Sequence, residues 1–104
     1  MGSIRVSSDP FGRAIKRTLE HLQRSHSGTM FGYHDLPELE PDYLAEATRK
    51  VALAQMRGTV VLESAEGMAN SSILKELQDA GLIETTGYKE FRLTAKGSTT
   101  TVHF

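Results

Sequence analysis

Cysteine is absent from the 104 residues. That excludes a disulfide framework and thiolate metal or redox chemistry, and it fits a reducing compartment, so a cytoplasmic location is expected. No apolar run approaches the roughly 18 residues that a spanning helix needs. The opening MGSIRVSSDPFG lacks the apolar core of a secretory leader, so no membrane association is expected. A bulk charge of one sign is also missing: the formal net charge is −1, which gives the chain as a whole no attraction to nucleic acid. There is no internal repeat, and no low-complexity tract beyond a short threonine run near Thr99–Thr101. Histidines are few and not spaced as metal ligands; His21 and His26 are five apart and would point different ways on a helix. Neither a nucleophile with its base nor a carboxylate pair stands out, so an enzyme, a metal and a cofactor are not expected.

What is present is ordinary for a globular domain. Apolar residues make up 38% and charged residues 24%, enough for one modest core in a chain of this length. The charge is unevenly spread. Arg5, Arg13, Lys16, Arg17 and Arg24 face only Asp9 and Glu20 over the first 27 residues, whereas Asp35, Glu38, Glu40 and Asp42 follow in close succession.

Ile4 to Val6 can form a short edge strand. Asp9-Pro10 is a helix start, with a capping carboxylate and proline at the first helical position. Phe11, Ile15, Leu19 and Leu22 recur at spacings of four and three, predicting a helix over about 10–26 with one apolar face. Arg13, Lys16, Arg17 and Arg24 fall on the opposite face, either solvated or presented to phosphate or an acidic partner. Residues 28–40 hold Gly32, Pro37 and clustered acids and read as a loop. Met30, Phe31, Tyr33 and Leu36 make it more apolar than a linker, so it packs on the domain or on a second copy. With Met56, some of these side chains line either the core, a dimer contact or an effector pocket.

A helix over 41–57 places Leu44, Ala47, Val51 and Ala54 on one face and Leu53 and Met56 on another, as in a helix held between neighbours. Thr59 to Glu66 has strand composition at Thr-Val-Val-Leu, and a short apolar run is not settled by periodicity. Gly67-Met68 favours a helix there, followed by a tight turn. Asn70 or Ser71 then caps a second helix in which Ile73, Leu74, Leu77 and Ala80 form the buried stripe, stopped by Gly81. Glu84 to Thr94 alternates as a hairpin turning at Gly87, and Ser98 to Phe104 is expected to add a further strand.

Gly67-Met68, Ser71-Ser72-Ile73-Leu74-Lys75-Glu76-Leu77, Ala80-Gly81-Leu82-Ile83 and Leu93-Thr94-Ala95-Lys96-Gly97 together resemble the winged helix-turn-helix regulators of bacteria and archaea. The arsenic-repressor-like and multiple-antibiotic-resistance-repressor-like families are the nearest in pattern. The resemblance covers roughly a third of the chain. It implies a mainly α fold with a small antiparallel β-hairpin and an extra N-terminal helix, a single winged-helix domain over 1–104. The helix-turn-helix would occupy 59–81, and the wing and C-terminal strand 82–104.

It also implies a small transcriptional regulator that reads duplex DNA as a homodimer, with helix 70–80 in the major groove and the 84–94 hairpin on the backbone or minor groove. Carried over residue by residue, the DNA contacts are Ser71, Ser72, Lys75 and Gln78 on the helix, and Lys89, Arg92 and Lys96 on or after the wing. Arg13 and Arg17 of the first helix would help. Residues 51–104 hold five Lys or Arg against six acids, and phosphate neutralisation dominates DNA affinity. The alternative is therefore a winged-helix protein-interaction module, docking or accessory, without sequence-specific DNA binding; an RNA-binding role is a third class.

Overall fold

The computed structural model describes residues 2–61 and 63–104. In chain order it forms β1 (Ser3–Arg5), α1 (Pro10–Ser25), β2 (Met30–Phe31), a 3₁₀ turn (Tyr33–Asp35), α2 (Pro41–Met56), α3 (Ala65–Asp79), β3 (Ile83–Gly87), β4 (Glu90–Leu93), α4 (Ala95–Thr99) and β5 (Thr101–His103). The molecule is mainly helical, with a small three-stranded antiparallel sheet and a separate two-stranded one.

The first helix forms as its sequence predicts. Asp9 sits in extended backbone and its Oδ1 accepts from the Gly12 amide at 2.8 Å, while Pro10 occupies the first helical position. Ile15, Leu19 and Leu22 are buried, and they meet Ile73, Leu74 and Leu77 of α3 in one core. Gly12 is required at its position: a Cβ there would lie 1.7 Å from the Ser7 carbonyl oxygen.

The helix-turn-helix expected over 59–81 needs correction. Gly67 makes no turn; it lies in the first turn of a continuous α3. Ser64 is the cap, its Oγ accepting from the Gly67 amide at 3.0 Å. A capping hydroxyl contributes about 1 kcal/mol, similar to what a glycine costs inside a helix, so the helix starts at Ala65 and runs through. The chain reverses earlier, at Gly58 (φ 81°), after α2 ends. Thr59–Val61 and Glu63–Ser64 are neither helix nor strand, and Leu62 lies outside the described residues. The paired helices are therefore α2 and α3, joined by an eight-residue connector, 57–64.

Gly81 (φ 77°) ends the second helix as expected. In the hairpin that follows, Ile83 pairs with Leu93, Glu84 with Arg92 and Thr85 with Phe91, and a bulge precedes the Gly87–Glu90 pair. Gly87 belongs to β3; the turn is made by Tyr88 and Lys89. β2, inside the segment expected to be loop, adds to the other edge of β4, giving the order β2-β4-β3. Phe31 of β2 stacks on Phe91 with ring centroids 5.9 Å apart, which seats the short strand in the core.

Beyond the hairpin, the C-terminal strand expected to extend it does not. Thr94 caps α4 through the Gly97 amide at 3.0 Å, and the chain then pairs β5 in parallel with β1. Gln23 of α1 holds this corner by donating to the carbonyls of Gly97 (2.8 Å) and Thr100 (2.7 Å). Gly97 packs so closely on the Leu82 carbonyl that a Cβ would sit 1.8 Å from its oxygen.

α2 buries Tyr43 and Ala47, and the Tyr43 hydroxyl donates to the Ala69 carbonyl at 3.1 Å. Its second apolar side is not enclosed: Leu53 is 49% and Met56 82% exposed. No helix among the described residues is long and apolar enough to cross a membrane.

Candidate functional site

The first half of α3, the 3₁₀ turn and the tip of the β3–β4 hairpin enclose an open cleft of about 400 Å³. Ser64, Gly67 and Ser71 form its α3 wall. Tyr33 and His34 line it from the 3₁₀ turn, Lys89 from the hairpin and Glu63 from the connector before α3. Three local features hold this shape. Asp35 Oδ2 accepts from the Gly32 amide at 2.9 Å and closes the 3₁₀ turn; that hydrogen bond is the main reason the Asp35 carboxyl lies below its usual range. Tyr33 rests against Phe91 with ring centroids 6.3 Å apart, which aims its hydroxyl at Ser71 Oγ, 3.0 Å away. The Lys89 carbonyl passes close over Gly32, where a Cβ would lie 3.2 Å from its oxygen.

The hairpin tip is chemically unusual. Lys89 has φ 55°, the only positive φ at a non-glycine residue among those described. This conformation costs an L-residue roughly 1–2 kcal/mol and is normally given to glycine or asparagine. Next to it Tyr88 is 91% exposed, with the Lys89 ammonium 5.5 Å from its ring centre. A strained cation and an uncovered aromatic at one turn make no contribution to the core.

Of the nine residues predicted to contact DNA, two meet in the cleft: Ser71 and Lys89. All of the others except Arg17 have local partners. Ser72 Oγ donates to the Met68 carbonyl at 3.0 Å. Lys75 donates to Asp79 Oδ2 at 2.8 Å, and that hydrogen bond, with the carboxylate's charge, raises the lysine's pKa. Gln78 donates to Thr85 Oγ1 at 3.1 Å and so ties α3 to β3. Arg92 is paired with Glu84 across the hairpin. Lys96 donates to the Ala80 carbonyl at 3.0 Å, where a cation complements the C-terminal end of α3.

Arg13 is held by Glu40 (2.8 Å) and reaches Asp42 at 3.6 Å, so it clasps α1 to the start of α2. Its hydrogen bond is the chief cause of the lowered Glu40 carboxyl pKa. Arg17 is exposed, with no acid within ion-pair distance among the described residues.

Neither the family scan nor the searches of curated proteins and of solved structures finds a match to this chain.

The cleft offers hydroxyls from Tyr33 and Ser71 and one cation, Lys89, without an acid partner among the described residues, with Glu63 also in its lining. Tyr33 and His34 were not among the predicted contacts. The signal that pointed to them was the apolar content of residues 28–40, which marks the segment as packed rather than free. Outside the cleft, the exposed side of α3 carries Glu66, Glu76 and Asp79 against Lys75. Among the described residues, no group of three or more His, Cys, Asp or Glu is arranged to hold a metal ion.

Proposed function

We propose that this chain is a winged-helix module that binds duplex DNA. In this reading α3 is the recognition helix and the β3–β4 hairpin is the wing. The element order supports it: helix, short strand, two helices, then a hairpin whose second strand lies centrally between the first strand and its own partner. The observation that carries the reading is the cleft between the first half of α3 and the hairpin tip, lined by Lys89, which has no acid partner among the described residues. A phosphate oxygen seated there takes charge from Lys89 and a hydrogen bond from whichever of the paired Tyr33 and Ser71 hydroxyls is not donating to the other, while Ser72 lies against α2 with its hydroxyl held by the Met68 carbonyl.

The contact surface then lies toward the start of α3. Lys75 and Gln78 lie in the half bearing Glu76 and Asp79, where charge opposes phosphate; Ser71 and Ser72 lie nearer the start of the helix. A titration of mixed-sequence duplex DNA, followed by fluorescence anisotropy at several salt concentrations, tests this. Lys89→Ala is expected to weaken binding several-fold and to lower the slope of log affinity against log salt by about 1. Lys75→Ala is expected to change affinity less than about twofold, because its charge is already offset by Asp79. No binding of the unmodified chain even at low salt refutes the proposal.

A protein-docking winged helix is the second reading. It is favoured by the acid excess on the exposed side of α3 and by the uncovered Leu53 and Met56. Its signature is binding to a protein partner with little dependence on salt.

A further inference from the structure

We infer that the outer face of α2 is a self-association surface, on which a second copy of this chain packs its own α2 in antiparallel orientation. The helix is 16 residues long, about 24 Å at 1.5 Å per residue. Tyr43 and Ala47 turn into the core. On the opposite side Ala45, Arg49, Ala52 and Met56 follow one another at spacings of four, three and four, all exposed. That is the alternation of a helix-pairing seam, and Leu53 flanks it. Small residues at Ala45 and Ala52 allow close approach of another helix, and Met56, 82% exposed, is a side chain with something to fill.

The distribution of charge identifies the occupant. The first half of α2 carries Asp42 and Glu46, and its second half and end carry Arg49, Lys50 and Arg57. Glu46, Arg49, Lys50 and Arg57 have no ion-pair partner among the described residues; Asp42 is 3.6 Å from Arg13. A parallel copy would oppose like with like. An antiparallel copy related by a two-fold axis places the acidic start of each helix beside the basic end of the other, which makes the face complementary to itself.

The register that seats Met56 against Ala45 of the second copy also sets Arg49 against its Ala52 and brings Glu46 beside its Arg57, twice by symmetry. The Arg49 stems then cover alanine while their guanidinium heads turn outward to water. A single helix pair is small for a specific interface, so the expected dissociation constant is on the order of 10 μM. This surface is separate from the cleft and the inference does not depend on DNA binding.

Sedimentation of the full chain from micromolar to sub-millimolar concentration is the test. The unmodified chain is expected to pass from monomer to dimer. Met56→Glu, at a site too exposed to affect folding, is expected to raise the dissociation constant at least about tenfold by burying an unpaired charge. Glu46→Arg and Arg57→Glu should each weaken the dimer several-fold, and the double variant should recover it, because the swapped pair is again opposite in sign across the axis. Since the chain has no cysteine, a thiol introduced by Ala52→Cys can form a disulfide only between copies. It should oxidise to a covalent dimer faster than an Arg24→Cys control. A chain that stays monomeric throughout overturns the inference, as does a dimer that Met56→Glu and both charge reversals leave unchanged.

Discussion

Replacing Lys89 by glycine separates what the hairpin tip does for stability from what it does for binding. At φ 55° the lysine occupies left-handed backbone, which costs an L-residue roughly 1–2 kcal/mol. Glycine removes that cost. It also gives the unfolded chain more freedom, which takes back about 0.5–1 kcal/mol. Tyr88 loses the ammonium near its ring, an exposed contact of about 0.5 kcal/mol. The net expectation lies between a loss of about 0.5 and a gain of about 1 kcal/mol, centred on a small gain. For a chain of this size that bounds the change in melting temperature between a fall of roughly 2–4 °C and a rise of roughly 4–8 °C.

Binding goes the other way. One phosphate contact is lost, so affinity for duplex DNA falls several-fold and the salt slope drops by about 1. Lys89→Ala serves as the control. It keeps the Cβ and hence the backbone strain, so it should lose binding without the gain in stability. Calorimetry and anisotropy on the three proteins read both effects. If the glycine variant melts more than about 4 °C lower, the tip is not strained as described. If it melts higher but binds DNA equally well, Lys89 is not a phosphate contact.

Two glycines in similar sequence settings should respond oppositely to alanine. Gly67→Ala places a Cβ 3.2 Å from Ser64 Oγ inside a helix and is expected to stay within about 1 kcal/mol of the parent, whereas Gly97→Ala drives a Cβ into the Leu82 backbone and should cost about 3 kcal/mol in urea unfolding. Leu77→Ala, at a side chain 1% exposed where α3 meets α1, should cost roughly 3 kcal/mol by the same measurement. Glu40 has a folded-state pKa below its unfolded value, so its contribution to stability is present above about pH 4.3 and is lost as pH falls through the lowered value. Melting temperatures measured between neutral and strongly acidic pH should therefore fall less steeply for Glu40→Gln than for the parent.

Local chemistry within a few residues was legible in the sequence. Asp9-Pro10 starts α1 because a carboxylate three residues ahead of Gly12 can reach its amide, and the apolar period from Phe11 to Leu22 faces the core because 3.6 residues make a turn. Gly81 ends α3, and Phe91 and Leu93 turn inward on β4, for reasons equally local. The Lys75–Asp79 pair is equally local, four apart on a helix, yet Lys75 was expected at DNA.

Choices between competing local signals were settled only in three dimensions. Gly58 and Gly67 both look like helix stops; the serine at 64 captures the Gly67 amide and the buried Ala69, Asn70 and Ile73 hold the helix straight through it, so the reversal falls at Gly58. Ser98–Phe104 has the composition of a strand, but its partner is β1, almost a whole chain length away, because Thr94 and Gln23 turn the backbone off the hairpin edge. The pairing of Arg13 with Glu40 and the meeting of Tyr33 with Ser71 join residues 27 and 38 positions apart. Such contacts arise from packing, which brings distant side chains together once the core has formed. Composition and spacing alone therefore determined that α1 and α2 exist and which side chains of α1 and α3 are buried; packing decided where α3 begins and that α4 forms. The folded chain decided which cations keep no acid partner among the described residues, and it places one of them, Lys89, in the lining of a cleft.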